Sequence, residues 1–347
     1  MSFKLWTTGA LAMLCFTTGC TIEASDSDAG GGAGEGGQAG EGGNSSEGGG
    51  AATATTRLFV VNVNQGVSSY ADPAAQDGRI EPATTLTSGA ETDMYGPRDL
   101  ALAANGDLFV AAENDGAVVM YANAMTASGA VLPSRKLKGP LSGLDVPISI
   151  ALDRENDTLY AVNSGSNGAV DTTIFAYSSA STLDGDVAPA RKIAVDIEAF
   201  APLQIAWHAD TLYAVTQGTN TASVLVFENA STLDGSVEPT RTINNPEFGS
   251  VVSIYVDDSG LYAVDDEDDL YVYAAGAEPA EAITIDGAAK LSAIAFDVDG
   301  TMFLSDSSAN FIYSFDGGAG AETTLAPSRT FDAVGLSLPA RLAVFEP

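Results

Sequence analysis

Polar and apolar positions along this chain alternate in short runs, without the wider spacing of helical stripes, and the runs recur. One unit reads Pro147-Ile-Ser-Ile-Ala-Leu, then Thr158-Leu-Tyr-Ala-Val-Asn, then Thr173-Ile-Phe-Ala-Tyr, then Pro189-Ala-Arg-Lys-Ile. Runs this short, rich in β-branched and aromatic residues and bounded by turn residues, suit half-buried strands. Four of them per unit, repeated at roughly fifty residues, predict the blades of a β-propeller.

Three columns support the repeat. An aromatic follows the leading Leu or Met of each second strand: Phe59, Phe109, Tyr160, Tyr213, Tyr262 and Phe303. Another aromatic ends the third strand: Tyr70, Tyr121, Tyr177, Phe227, Tyr273 and Phe315. A proline precedes the fourth strand, at 82, 133, 189, 239, 279 and 327. It breaks no ladder bond at a strand's first position.

The first-strand run appears before a second strand only five times, because Arg57-Leu-Phe-Val-Val opens directly as a second strand. Its missing copy is Pro339-Ala-Arg-Leu-Ala-Val, near the C-terminus. The predicted fold is therefore all-β, a six-bladed propeller of four-stranded blades over residues 57–347, with the C-terminal strand completing blade 1. Ring closure removes the exposed edges of an open sheet. A middle column of alanines (Ala101, Ala151, Ala206, Ala295, Ala343) fits strands crowded around an axis, and Tyr255 is its exception. Asn105-Gly106, Asp258-Ser-Gly260 and Asp299-Gly300 supply hairpin turns. The phrase Ala-Ser-Thr-Leu-Asp-Gly stands verbatim at 180–185 and 230–235, which points to duplication of a blade more than to a shared site.

The phrases Leu159-Tyr-Ala-Val-Asn163 and Leu261-Tyr-Ala-Val-Asp265 resemble the Leu-Tyr-Val-Ala-Asp strand of NHL-repeat and SMP-30/gluconolactonase propellers. The resemblance covers residues 57–347 and mainly reports architecture, since one fold serves many functions.

The first 19 residues read as a targeting segment: Lys4 as the basic start, Leu5 to Phe16 as the apolar stretch, and small residues before a cleavage point. Cys15 leaves with it, so Cys20 is the one remaining cysteine and no internal disulfide forms. Thr17-Thr18-Gly19-Cys20 resembles the signal of bacterial lipoproteins, although it lacks the usual Leu three residues before the cysteine. That resemblance implies lipidation of Cys20 and, with Thr21 next, an address at the outer membrane or cell surface. An ordinary cleaved signal with a free thiol is the alternative. Residues 20–56 carry runs such as Gly30-Gly31-Gly32 and Gly48-Gly49-Gly50, a composition that buries nothing and predicts a disordered tether.

A formal charge of −32 excludes a nucleic-acid-binding surface and disfavours adsorption on anionic lipid. It serves solubility, or attracts cations and basic partners.

At the end of each second strand lies a polar column: Asn62, Ala112, Asn163, Thr216, Asp265 and Asp306. The resemblance implies a divalent cation there, with Asn62, Asn163, Asp265 and Asp306 as candidate ligands and Ca²⁺ as the candidate ion. The alternative is that each residue caps its own loop. Asp265-Asp266-Glu267-Asp268-Asp269 reads as a solvated acidic loop, or as a weak Ca²⁺ site. Asp153-Arg-Glu155-Asn-Asp157 lacks the Gly and distal Glu of an EF-hand loop. The only histidine, His208, falls in a turn with no acidic partner fixed by spacing, which disfavours a Ser-His-Asp triad. Arg135, Arg191, Arg241 and Arg329 occupy one column, for which an ion pair with an adjacent strand is the expected role.

These readings predict a lipid-anchored, exported, monomeric propeller acting as a non-catalytic module for a protein, glycan or small ligand. A Ca²⁺-dependent lactonase or hydrolase, and a purely structural envelope protein, remain as alternatives.

Overall fold

The computed structural model describes residues 55–164, 172–195, 202–217, 222–245, 247–274, 282–319 and 322–347. The targeting segment, Cys20 and nearly all of the predicted tether lie outside them. The six blades are there, and each begins at the axis with one of the predicted first-strand runs. Those innermost strands are Pro97–Leu102, Pro147–Asp153, Pro202–His208, Val251–Asp257, Leu291–Phe296 and Pro339–Phe345, serving blades 2 to 6 and then blade 1. Pro339–Phe345 pairs antiparallel with Arg57–Asn62 and completes blade 1.

The columns have a shared physical basis. In every blade the aromatic ending the third strand pairs with the leading Leu or Met of the second, from Leu58 with Tyr70 to Met302 with Phe315. The second-strand aromatic pairs with the alanine column, as Phe59 with Ala343 and Phe109 with Ala101. A large ring on one strand thus meets a methyl group on its neighbour, as cross-strand packing favours. In blade 5 that pairing is Tyr255 with Tyr262, and both rings crowd Phe296, with centroids 4.6–6.1 Å apart.

The core lies between blades. Six apolar clusters each draw on two adjacent blades, such as Phe59, Val61 and Leu86 with Leu108, Val110 and Tyr121. Beyond the four strands of a blade, its outer edge also takes up a segment of the next. Blade 3 gains Gly235–Val237, blade 5 gains Thr324–Leu325 and blade 6 gains Gly78–Ile80, all pairing in parallel. Blades 1 and 2 gain single bridges, Leu86 to Gly129 and Leu137 to Gly185.

The arginine column and the repeated phrase explain one another here. Arg191 Nη1 donates to the carbonyls of Ala230 and Leu233, at 2.7 and 2.8 Å, in the second copy of Ala-Ser-Thr-Leu-Asp-Gly. Arg135 does the same to Ala180 and Leu183 in the first copy. Asp184 and Asp234 accept the N–H groups of Lys136 and Lys192. The two loops therefore clasp blade to blade, so both copies of the phrase serve packing. Among the described residues, two of the four arginines meet a carboxylate: Arg135 with Asp107 and Arg329 with Asp316.

Candidate functional site

Each blade's innermost ladder slips by one residue near the strand's start, leaving Arg98, Ile148, Leu203, Val252, Ser292 and Ala340 unpaired. A bulge of this kind re-aims the residues after it. The next positions are Asp99, Ser149, Gln204, Ser253, Ala293 and Arg341, a column around the axis that is polar in five of six blades. In sequence it is the residue before an Ile-Ala or Leu-Ala pair in five blades and before Ile254-Tyr255 in blade 5.

These side chains link blade to blade. Asp99 accepts the Ser149 hydroxyl and the Ile150 N–H on one oxygen and the Leu100 N–H on the other. Ser149 accepts the Ile205 N–H at 3.0 Å, and Gln204 accepts the Ile254 N–H at 2.7 Å. Axis-facing amides, which have no further strand to bond, are satisfied this way. Arg341 Nε lies 3.7 Å from Asp99, with the two side chains 14 % and 5 % exposed. Burial pushes the Asp99 carboxyl up, against the pull of Arg341, Ser149 and two amides. Burial likewise lowers Arg341, with Asp99 opposing. Both shifts mark charges held out of water at a desolvation cost.

A cavity of about 180 Å³ runs along this girdle, lined by Asp99, Gln204, Ser253, Arg341 and four alanines of the column, Ala101, Ala151, Ala206 and Ala343. It shares Arg154, Tyr255 and Leu342 with a second cavity of about 500 Å³ at the mouth, on the face carrying the hairpins between first and second strands. Phe296, Asp297, Phe345 and Glu346 complete that mouth. Arg154 donates to the Leu102 carbonyl at 2.8 Å, and burial lowers its pKa. Burial, chiefly, pushes the Tyr255 phenol up to about 12, so it is a neutral donor at the mouth. Among the described residues, two donors around this channel have no hydrogen-bond acceptor: Trp207 Nε1 and Arg341 Nε.

The predicted polar ring lies on the opposite face, and its side chains cap loops. Asn62 Oδ1 accepts the Ser337 N–H while its amide donates to Val60 and Ser68. Asn163 accepts from Asp145 and donates to the Gly143 carbonyl. Asp265 accepts the N–H groups of Gly249, Glu267 and Asp269 and the hydroxyl of Tyr271. Asp306 accepts those of Ala289, Lys290, Ser308 and Ala309. Burial pushes Asp265 up beyond what its donors offset. At Asp306 burial also pushes up, but four amides outweigh it and hold the carboxyl low. Among the described residues no group of three or more His, Cys, Asp or Glu side chains is arranged to hold a metal ion.

The acidic loop is more than a solvated run. Asp266 accepts the Ser250 N–H, Asp268 the Leu291 N–H and Asp269 the Thr284 hydroxyl. Asp153 and Asp157 likewise cap their own hairpin and the Ser181 turn. His208 does have an acidic partner, against the expectation from spacing: its Nε2 lies 2.9 Å from Asp258, in the next blade's hairpin. Among the described residues that line the cavity they border there is no serine, threonine or cysteine.

No family model matches the chain, and no curated protein matches it. Among solved structures it is similar to one described as a nidogen/laminin complex, with a TM-score of 0.58 and 11 % identity. The match covers 83 % of this chain and 98 % of that one, and at this identity it shows the fold alone.

Proposed function

We propose that the protein is an exported, lipid-anchored binding module whose ligand enters the channel mouth on the hairpin face. The observation that carries this is the mouth itself: an open cavity of about 500 Å³ with aromatic walls and charged groups at its rim. Tyr255 and Phe296 offer flat apolar faces, while Arg154, Asp297 and Glu346 offer donors and acceptors. A planar, polar-edged group, such as a sugar ring or a protein loop bearing amides, fits that chemistry. The same fold appears in a nidogen/laminin complex, which lends a precedent for association with a protein.

Lipidation at Cys20 rests on the Thr17-Thr18-Gly19-Cys20 motif and on the Gly-rich stretch after it, which gives a flexible reach of about 30–36 Å. Intact-mass analysis of the protein purified from membranes tests the anchor. A mass consistent with diacylglycerol on Cys20 is expected, and an unmodified thiol there overturns it.

For the mouth, ligand-observed NMR with a panel of neutral mono- and disaccharides and amide-rich loop peptides is the direct test. The expected result is saturable binding by one class that Tyr255→Ala and Phe296→Ala abolish. Binding that survives both substitutions places the ligand elsewhere and sinks the reading.

A further inference from the structure

Arg154 stands where the mouth meets the channel and lines both cavities. It opens the hairpin of blade 3, a turn fixed by Asp153, which accepts the Glu155 and Asn156 N–H groups. From there its Nε donates to the Leu102 carbonyl of blade 2 at 2.8 Å, so one edge of the guanidinium is anchored across two blades. The residue nonetheless stays open to solvent, and its two Nη groups bond nothing among the described residues. No ion pair among the described residues includes it. In a chain with 46 Asp and Glu against 14 Lys and Arg, an anchored arginine without an acid is conspicuous.

The acids around it are committed elsewhere. On the rim, Asp297 Oδ1 accepts the Thr301 N–H at 2.7 Å and Glu346 Oε1 accepts the Val298 N–H at 2.8 Å. Asp99, the one acid among the channel's lining residues, takes two amides and a hydroxyl and faces Arg341. Tyr255 neighbours Arg154 in both cavities, and its neutral phenol adds a donor. An anchored guanidinium with both Nη groups unspent, beside a hydroxyl, is a receptor for a carboxylate, which it grips with two parallel bonds. Because the anchor already orders it, little freedom is lost on binding.

The walls and rim define the rest of the ligand. Tyr255, Phe296 and Phe345 line the mouth, and the first two rings lie with centroids 4.8 Å apart. A flat ring packs well on such faces. Asp297 and Glu346 accept from hydroxyls at its outer edge and repel a second negative charge there. We propose that the mouth selects a hydroxylated aromatic monocarboxylate. Its carboxylate meets Arg154 and Tyr255, its ring lies on Phe296 and Phe345, and its hydroxyls face Asp297 and Glu346. This rests on the mouth being the binding site and adds the class of ligand.

The probes are 3,4-dihydroxybenzoate, its methyl ester and glucuronate, titrated into the full protein by calorimetry. The aromatic acid is expected to saturate below about 1 mM and to bind at least about tenfold tighter than its ester. That comparison uses the natural protein and does not depend on a variant folding. Arg154→Gln is expected to bring the acid down to the level of the ester while leaving the ester unchanged, and Arg154→Lys to restore part of the difference. An ester that binds as tightly as the acid, or an Arg154→Gln loss equal for both, overturns the carboxylate assignment. In either case ester binding that Phe296→Ala abolishes leaves the mouth itself standing as the binding site. Glucuronate binding tighter than the aromatic acid overturns the aromatic body. No binding of acid or ester at about 10 mM overturns the proposal as a whole, and the neutral sugars and loop peptides then decide the mouth separately.

Discussion

Arg341, in the strand that completes blade 1, lies against Asp99 in blade 2, Nε to Oδ1 at 3.7 Å, with both side chains nearly buried. The last strand to be made thus carries the charge that the first-made inner strand needs. Removing one partner should be far worse than removing both, because a lone buried charge is what costs most. Arg341→Met is expected to lower stability by about 3–5 kcal/mol in urea denaturation, and adding Asp99→Asn to recover much of that loss.

The same pair has a pH signature. The Asp99 carboxyl is raised in the fold, so it contributes stability below its unfolded value of about 3.9, and that contribution is lost as pH rises through the folded value. Asp99→Asn cannot lose it. The stability of Asp99→Asn relative to the natural protein should therefore rise with pH above about 4, and a pH-independent difference would count against the assignment.

Asp306 should behave in the opposite sense. Its carboxyl is depressed by four amides, so its contribution is present above the unfolded value and fades as pH falls through the lower folded one. Asp306→Ala is expected to cost on the order of 2–3 kcal/mol at pH 7, with the gap closing below about pH 4. Because its oxygens already accept backbone N–H groups, added Ca²⁺ should leave the melting temperature of the natural protein unchanged. A Ca²⁺-dependent rise that Asp306→Ala removes would restore the cation reading.

Two arginines of one column should separate in denaturation experiments. Arg191→Ala abandons two loop carbonyls and the Tyr160 hydroxyl, and is expected to cost about 1–3 kcal/mol. Arg329→Ala loses a pair with Asp316, whose side chain is 56 % exposed, and should cost less than about 1 kcal/mol. Equal costs would refute the clasp.

Truncation after Leu338 removes the innermost strand of blade 1, exposing the ladder of Arg57–Asn62 and leaving Asp99 without Arg341. Loss of cooperative unfolding is the expected result, read by circular dichroism during a thermal scan.

The six-bladed ring was legible in the chain because repeated blades face the same cross-strand packing problem six times. Each blade solved it with the same residues, so Leu58 with Tyr70 and Met302 with Phe315 announce one register. The capping role of Asn62, Asn163, Asp265 and Asp306 was legible only as one of two alternatives, because a cap and a cation ligand call for the same oxygens. The Asn or Asp choice follows from the partners: Asn163 has a carbonyl to donate to, while Asp306 faces only donors, four N–H groups and the Tyr313 hydroxyl.

What sequence alone determined is thus whatever recurs within a blade: strand order, register, turns and closure by the C-terminal strand. What only the tertiary structure decided is whatever passes between blades: the Asp99–Arg341 pair, the His208–Asp258 contact and the arginine clasps. Within a blade, partners stand at fixed short separations, so periodicity encodes them. Between blades they are about forty or more residues apart (Arg191 and Ala230 by 39, Asp99 and Ser149 by 50, His208 and Asp258 by 50) and meet only when the blades pack together.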